Sequence, residues 1–395
     1  MQPMTDVAIV GAGAAGLATA FCLRQAGISV RLLEKSHEIA GPWRKRHPQL
    51  RLNTHRDLSQ LPGLKMPKDA GTFPSRDTLI RYLEDYARNL DLPVEFGVEV
   101  TALERAGEGW RLETGSGPVA AKHVVIATGR EATPFIPDWP GRGDYEGRLI
   151  HAADFGDADQ YAGKNVLVVG AGNSGSDILN HLSRVDTQSV LISIRKGSVV
   201  FPAFMFGVPM QRLAPLLELL PLRAIDWMLR DTERMAFGNL RQYGFPVHPD
   251  GGATRMATDG VSPAIDNGFV AAVKAGRMRI VPEVGRFRER MVVLADGTRI
   301  APDVVIAATG YRTGLEPLLG HLDVLNSRGV PRIDGAQTLP HAPGLWCIGM
   351  RPTMSGYFRA ASRNGRAIAS TISADLARRP AHKPVAAAAV AGAHA

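Results

Sequence analysis

The chain has 395 residues, 45% of them hydrophobic and 21% charged. That balance excludes a disordered or fibrous protein, and the length indicates two globular domains rather than one. The formal charge of +8 comes from scattered basic residues, which points to anionic nucleotides or an anionic substrate and away from nucleic acid. Cys22 and Cys347 form no C-x-x-C, which excludes a disulfide reductase and fits a reducing, cytoplasmic compartment.

The chain starts almost directly with the apolar run Val7–Val10, leaving no room for a signal peptide. The run leads into Gly11-Ala12-Gly13-Ala14-Ala15-Gly16. A strand–turn–helix with this G-x-G-x-x-G pattern brings backbone N–H groups and a helix N-terminus against a pyrophosphate, where bulkier residues would block the approach. The next strand, Val30–Leu33, runs into Glu34 and Lys35. A carboxylate there accepts hydrogen bonds from free ribose hydroxyls and repels a 2′-phosphate. Lys35 is placed at the adenosine end of the same nucleotide or in solvent. Trp43, shortly after Gly41, offers a flat surface to line a ring, or a core anchor. Asn53 follows Leu52 and reads as a turn residue or as an amide that both donates and accepts at a ligand.

The stretch Val98–Leu112 alternates as an antiparallel meander, with Val100 placed beside the first nucleotide, and Val124–Ile126 leads into Ala127-Thr128-Gly129. The whole order then repeats. Val166–Val169 precedes Gly170-Ala171-Gly172-Asn173-Ser174-Gly175, and Val190–Ile194 ends in Arg195 and Lys196. A weaker meander at 287–300 precedes Val304–Ile306 and Ala307-Ala308-Thr309-Gly310-Tyr311. An arginine in the reader position has donors suited to phosphate oxygens. The two inverted readers therefore predict one FAD site and one NADPH site.

The predicted fold is α/β, with two dinucleotide-binding, Rossmann-like domains and the NADPH domain inserted into the FAD domain. Residues 1–160 form the first part of the FAD domain, 161–310 the NADPH domain, 311–378 the returning FAD segment and 379–395 a disordered, alanine-rich tail. An insertion at about 201–263, with helical patches at 213–230 and 231–243, reads as a lid and substrate wall or as a packing insertion. Its most apolar stretch, 213–229, is broken by Pro215, Glu218, Pro221, Arg223 and Asp226, so no membrane partner is expected. Gly349 is placed where the returning segment approaches the flavin, and a helix over 360–376 points its N-terminus the same way. The eleven histidines show no ligand spacing, so no metal is expected.

Between the two turns lies Tyr145-Glu146-Gly147-Arg148-Leu149-Ile150-His151-Ala152-Ala153-Asp154-Phe155. This pattern, with Gly41-Pro42-Trp43, Leu52-Asn53-Thr54 and Ala308-Thr309-Gly310-Tyr311, resembles the identifying motifs of the class B flavin-containing monooxygenases. Within them, Leu33-Glu34-Lys35-Ser36, Asn239–Gly244 and Gly260–Gly268 are most similar to the YUCCA-type indole-3-pyruvate monooxygenases. Pro42 and Tyr145 depart from the usual pattern.

The resemblance implies that NADPH reduces FAD, that dioxygen adds at C4a of the reduced ring, and that one oxygen atom passes to a small substrate. It implies catalytic work for Asn53 and places Thr128, Gly129, Thr309, Gly310 and Tyr311 along the cofactors. Gly147 and His151 become an interdomain motif, His151 making a hydrogen bond or transferring a proton. The implied partners are dioxygen and a small molecule, with a homodimer as the expected assembly. The substrate is an aromatic 2-oxo acid; a sulfide or amine is the alternative, and a leaky NADPH oxidase or a redox-sensing flavoprotein remains open.

Overall fold

The continuous apolar runs become the centres of two parallel sheets. The computed structural model describes residues 4–197, 199–246 and 249–378. The expected disordered tail, 379–395, lies outside the described residues.

In the first sheet, strands Val94–Phe96, Val30–Glu34, Thr5–Val10, Val119–Ile126, Gly109–Thr114 and Val100–Ala106 lie side by side in that order. The first four run parallel, and the last two form the antiparallel meander. The return segment adds Leu345–Cys347, parallel to Val124–Ile126. Ala8, Ile9, Val124 and Val125 are wholly buried because helices or loops cover both faces. Helix Ala14–Gln25 and the last helix, Tyr357–Arg378, share one apolar cluster through Leu17, Leu23, Ile368 and Ile372. Each such fully buried side chain contributes about 1.5–3 kcal/mol.

The second sheet orders Met278–Val281, Ser189–Ser193, Asn165–Val169, Val304–Ala307 and Arg148–His151, all parallel. Its last strand corrects the expected boundary at 160. The sequence boundary places Arg148–His151 with the first domain, yet it pairs in register with Val304–Ala307 and covers an edge that would otherwise stay open. The two chain crossings between the sheets run side by side, Thr133–Pro134 antiparallel to Tyr311–Arg312.

The insertion also differs from its expected form. Instead of two helical patches meeting near residue 230, one helix runs Leu222–Phe237. Pro221, extended and lacking an N–H, precedes it, and Gly238 at φ 69 ends it. A single turn, Ala214–Leu217, lies before it and a 3-10 turn, Leu240–Tyr243, after it. The last helix begins three residues earlier than expected, directly after Gly356.

Candidate cofactor and substrate site

The first glycine turn closes against the strand end that carries Thr128 and Gly129. Gly11 has φ +101, and a Cβ on it would sit 2.8 Å from the Ala127 carbonyl oxygen. A Cβ on Gly16 would lie 1.9 Å from the Gly11 carbonyl oxygen. Neither position admits another residue without moving backbone, and the space kept open faces the N-terminus of helix Ala14–Gln25. Gly349 from the return segment closes on Ala15, where an added Cβ would lie 3.3 Å from the Ala15 Cβ.

Glu34 ends its strand beside this turn. Its Oε2 accepts from Ala12 N at 2.7 Å, and its Oε1 accepts from Ser36 N at 2.9 Å and Ser36 Oγ at 2.8 Å. The carboxylate thus clips the turn to the strand, and Oε2 keeps a lone pair for a further donor. Val98 N donates to Glu34 O at 3.0 Å, which sets the strand that starts at Val100 beside the same corner. Lys35 is exposed, and Trp43 is half-buried on the short helix Gly41–Arg44 against the first core.

Asn53 lies half-buried in the bend after Leu52. Among the described residues its amide has no hydrogen-bond partner. The bend is pressed against the start of the last helix, since a Cβ on Gly356 would come 2.5 Å from Thr54 Cγ2. Next to Gly356, the Tyr357 hydroxyl accepts from Arg130 Nη1 at 2.9 Å, while Arg130 Nη2 donates to Gly260 O at 2.9 Å. Arg130 therefore ties the Ala-Thr-Gly strand end and the last helix to the insertion.

The second turn repeats the first in geometry. Gly170 has φ +101, with an added Cβ 2.6 Å from Ala308 O, and one on Gly175 would lie 2.0 Å from Gly170 O. Gly172 leads into helix Asn173–Leu182, with Asn173 exposed and Ser174 half-buried. Arg195 and Lys196 stand exposed after strand Ser189–Ser193. Arg255, in helix Gly252–Asp259, was not singled out in the sequence. It donates through Nη1 to the Lys196 carbonyl at 3.0 Å and to the Gly197 carbonyl, bracing the loop that carries both cations. Burial pulls the Arg255 guanidinium down, Asp259 opposes this, and the charge of Arg195 adds to the lowering. The three basic side chains make a local surplus of positive charge suited to a phosphate dianion.

Between the turns, His151 Nε2 lies 2.9 Å from Gly310 O, and its Nδ1 accepts from Ala153 N at 3.0 Å. An accepting Nδ1 places the proton on Nε2. Burial lowers the pKa of His151 despite the opposing bond to Gly310, a shift that favours the neutral ring. The expected interdomain bond is corrected here: Gly310 follows Val304–Ala307, the strand paired with Arg148–His151, so the contact closes one corner of the second domain. The Tyr311 ring packs edge-on to His151 at 4.8 Å and lies under the Arg46 guanidinium, which also donates to its hydroxyl. Tyr145 folds back over Gly147, where an added Cβ would meet the outer end of that ring at 2.3 Å and displace it. Thr309 Oγ1 donates to Phe135 O, joining the two crossing segments.

One further contact joins the domains. Buried His47 places Nε2 at 2.7 Å from Asp177 Oδ2, and His181 Nε2 lies 3.5 Å from Asp177 Oδ1. Burial raises the Asp177 carboxyl, but the bonds and charges of His181 and His47 outweigh it, and the net direction is down. The spacing of Asp177 and His181 on one helix face was the only signal available in the sequence.

A family model described as pyridine nucleotide-disulphide oxidoreductase matches residues 8–200. Burial pushes the thiols of Cys22 and Cys347 up to about 11 and about 12, so neither is poised as a thiolate. The indole-3-pyruvate monooxygenase YUCCA1 of Oryza sativa subsp. japonica is 33% identical, covering 86% of this chain and 85% of its own. YUCCA6 of Arabidopsis thaliana is 32% identical, covering 88% and 85%. The chain belongs to the class B flavin-containing monooxygenases and is related to the YUCCA enzymes. It is a monooxygenase that uses FAD, NADPH and dioxygen on a small molecule.

The flavin-containing monooxygenase of Stenotrophomonas maltophilia shares the fold of this monooxygenase, with a TM-score of 0.72 at 24% identity over 95% of this chain and 100% of that one. The OTEMO complex with FAD and NADP gives 0.66 at 17% identity, covering 95% and 85%. The two glycine cradles, closed to a Cβ at Gly11, Gly16, Gly170 and Gly175, fit dinucleotides. Among the described residues no helix is long and apolar enough to cross a membrane.

Proposed function

We propose that this monooxygenase acts on an aromatic 2-oxo acid of the indole-3-pyruvate type and converts it by oxidative decarboxylation. The observation that carries the reading is the 33% identity, over 86% of the chain, to an indole-3-pyruvate monooxygenase. The reaction balances with the cofactors at hand. The bond between C1 and C2 breaks and C1 leaves as carbon dioxide. One atom of dioxygen enters the shortened acid and the other leaves as water, with NADPH supplying two electrons.

We assign FAD to the domain built on Thr5–Val10 and NADPH to the one built on Asn165–Val169. FAD, when bound, takes hydride from NADPH and activates dioxygen. Everything else falls to this chain's residues. Gly11, Gly13, Ala14, Ala15 and Gly16 admit a pyrophosphate, and Glu34 Oε2 accepts from a ribose hydroxyl. Lys35, Trp43, Val100, Thr128, Gly129 and Gly349 line the same cofactor. The turn Gly170–Gly175 takes the second pyrophosphate, and Arg195 and Lys196 take the 2′-phosphate. Thr309, Gly310 and Tyr311 form the wall between the two nucleotides. Asn53 offers an unengaged amide where the first domain meets the last helix, and we assign it the positioning of reacting groups out of contact with water. The buried, unpaired thiols of Cys22 and Cys347 fit a reducing compartment, and we place the enzyme in the cytoplasm.

Competition between substrates tests the reading. With indole-3-pyruvate and an aryl methyl thioether present together, the expected product is indole-3-acetate. Exclusive formation of the sulfoxide would move the enzyme to the sulfide- and amine-oxygenating class.

A further inference from the structure

We propose that the insertion 201–263 is a docking surface for an anionic lipid bilayer, on which the protein lies without spanning it. Among the described residues, every exposed large hydrophobic side chain other than Met4 and Phe96 falls between Phe204 and Met235. Phe206 is 98% exposed, Leu219 81%, Trp227 67% and Leu216 62%. Soluble surfaces scatter such residues singly, so this concentration calls for a partner.

The backbone commits them outward. Phe206 and Gly207 form the tip of a hairpin between Phe204–Met205 and Val208–Pro209, with φ of 50 and 76. Two left-handed residues in a two-residue loop make the tight turn that suits a hairpin twist, but a phenylalanine is strained there. The side chain recovers nothing by packing on its own protein.

On helix Leu222–Phe237, Arg223, Trp227, Arg230 and Arg234 follow one another at helical spacing on the exposed face. The carboxylates of the same segment turn inward. Asp226 accepts from Ala253 N at 2.7 Å, Glu233 accepts from Val200 N at 2.6 Å, and Glu218 accepts from Ser355 Oγ at 2.8 Å. Exposed charge from 204 to 263 is thus Arg212, Arg223, Arg230, Arg234 and Arg241 against Asp231 and Asp250 among the described residues. The hairpin tip and the helix belong to one surface, since Phe204, Phe206, Met235 and Phe237 line the same shallow depression.

Separate apolar tips ringed by arginines suit a bilayer interface, which receives Phe, Leu and Trp without shape complementarity while its headgroups take the arginines. A protein partner would need a continuous, packed face. The segment has no apolar run that spans, so its binding is peripheral.

Flotation of the full-length holoenzyme with vesicles tests the proposal. The protein is expected to float with phosphatidylcholine vesicles carrying phosphatidylglycerol, and about tenfold less with pure phosphatidylcholine or in high salt. Phe206→Ser with Trp227→Ser, and separately Arg223→Glu with Arg230→Glu, should abolish flotation while FAD-dependent NADPH oxidation in solution is retained, which shows that both variants fold. A wild-type protein that stays in solution with both vesicles overturns the proposal. So does a wild-type dimer that Phe206→Ser with Trp227→Ser dissociates, because the patch would then belong to a second copy.

Discussion

The Glu34 carboxylate accepts a hydrogen bond from Ala12 N at 2.7 Å, inside the turn that Gly11 and Gly16 define. The residue we assign to the ribose therefore also shapes the glycine turn, and the two ends of the proposed FAD adenosine site are one mechanical unit. Glu34→Gln removes the charge while keeping the volume. Loss of the charge-assisted bonds should weaken FAD binding by about 1.5–3 kcal/mol, with Glu34→Ala weaker still. Fluorescence titration of the apoprotein with FAD measures this.

Gly11→Ala and Gly172→Ala should behave differently. At Gly11 the new Cβ meets Ala127 O at 2.8 Å with φ +101, whereas at Gly172 the nearest atom is Val261 Cγ1 at 3.8 Å. Gly11→Ala is expected to cost about 1–3 kcal/mol of stability and to yield protein depleted in FAD. Gly172→Ala should melt within a degree or two of wild type, as a contact at ordinary distance implies. Its effect should appear as a raised KM for NADPH. Calorimetry and steady-state kinetics separate the two outcomes.

Arg195→Ala should lower kcat/KM for NADPH by the equivalent of about 1.5–3 kcal/mol and leave kcat/KM for NADH nearly unchanged. Arg255→Met should move the preference in the same direction by a smaller amount, because it releases the Lys196 and Gly197 carbonyls that hold the loop. Parallel kinetics with the two nucleotides provide the check.

Asp177, with its carboxyl held below the usual 3.8, gives the clasp to His47 a pH signature. A lowered folded pKa contributes stability that is fully present above the unfolded value and is lost as pH falls through the folded one. The melting temperature of wild type should therefore exceed that of Asp177→Asn near neutrality, and the difference should shrink as pH drops below about 3.8. Melting curves across that range test the sign.

Asn53→Ala removes an amide that no group among the described residues engages. Folding and FAD content should stay close to wild type, while the yield of oxygenated product per NADPH falls and hydrogen peroxide rises. A coupled assay of NADPH consumption and peroxide reads the ratio.

The parts of this site legible in the sequence are those fixed by local sterics. Gly11, Gly16, Gly170 and Gly175 announce themselves because each Cβ would strike a carbonyl within the same turn or its neighbouring strand. Glu34 and Arg195 could be read because the end of a parallel strand fixes where they stand. Contacts between distant segments left no such trace. His47 meets Asp177 across 130 positions and Arg46 meets Tyr311 across 265, and no periodicity encodes either. Arg148–His151 was missed as a strand because an edge of four residues, two of them polar, carries no alternation long enough to detect. The apolar residues around Trp227 pass for core in a sequence; only the fold shows that they face outward.

In the proposed reaction, electrons from NADPH end in the oxygenation of a 2-oxo acid. Turnover of indole-3-pyruvate with NADPH under isotopically heavy dioxygen is the decisive measurement. The expected products are indole-3-acetate carrying one heavy oxygen in its carboxylate, one carbon dioxide and one NADP⁺ per turnover. NADPH oxidation that delivers all the heavy oxygen to peroxide, with indole-3-pyruvate left intact, would contradict it.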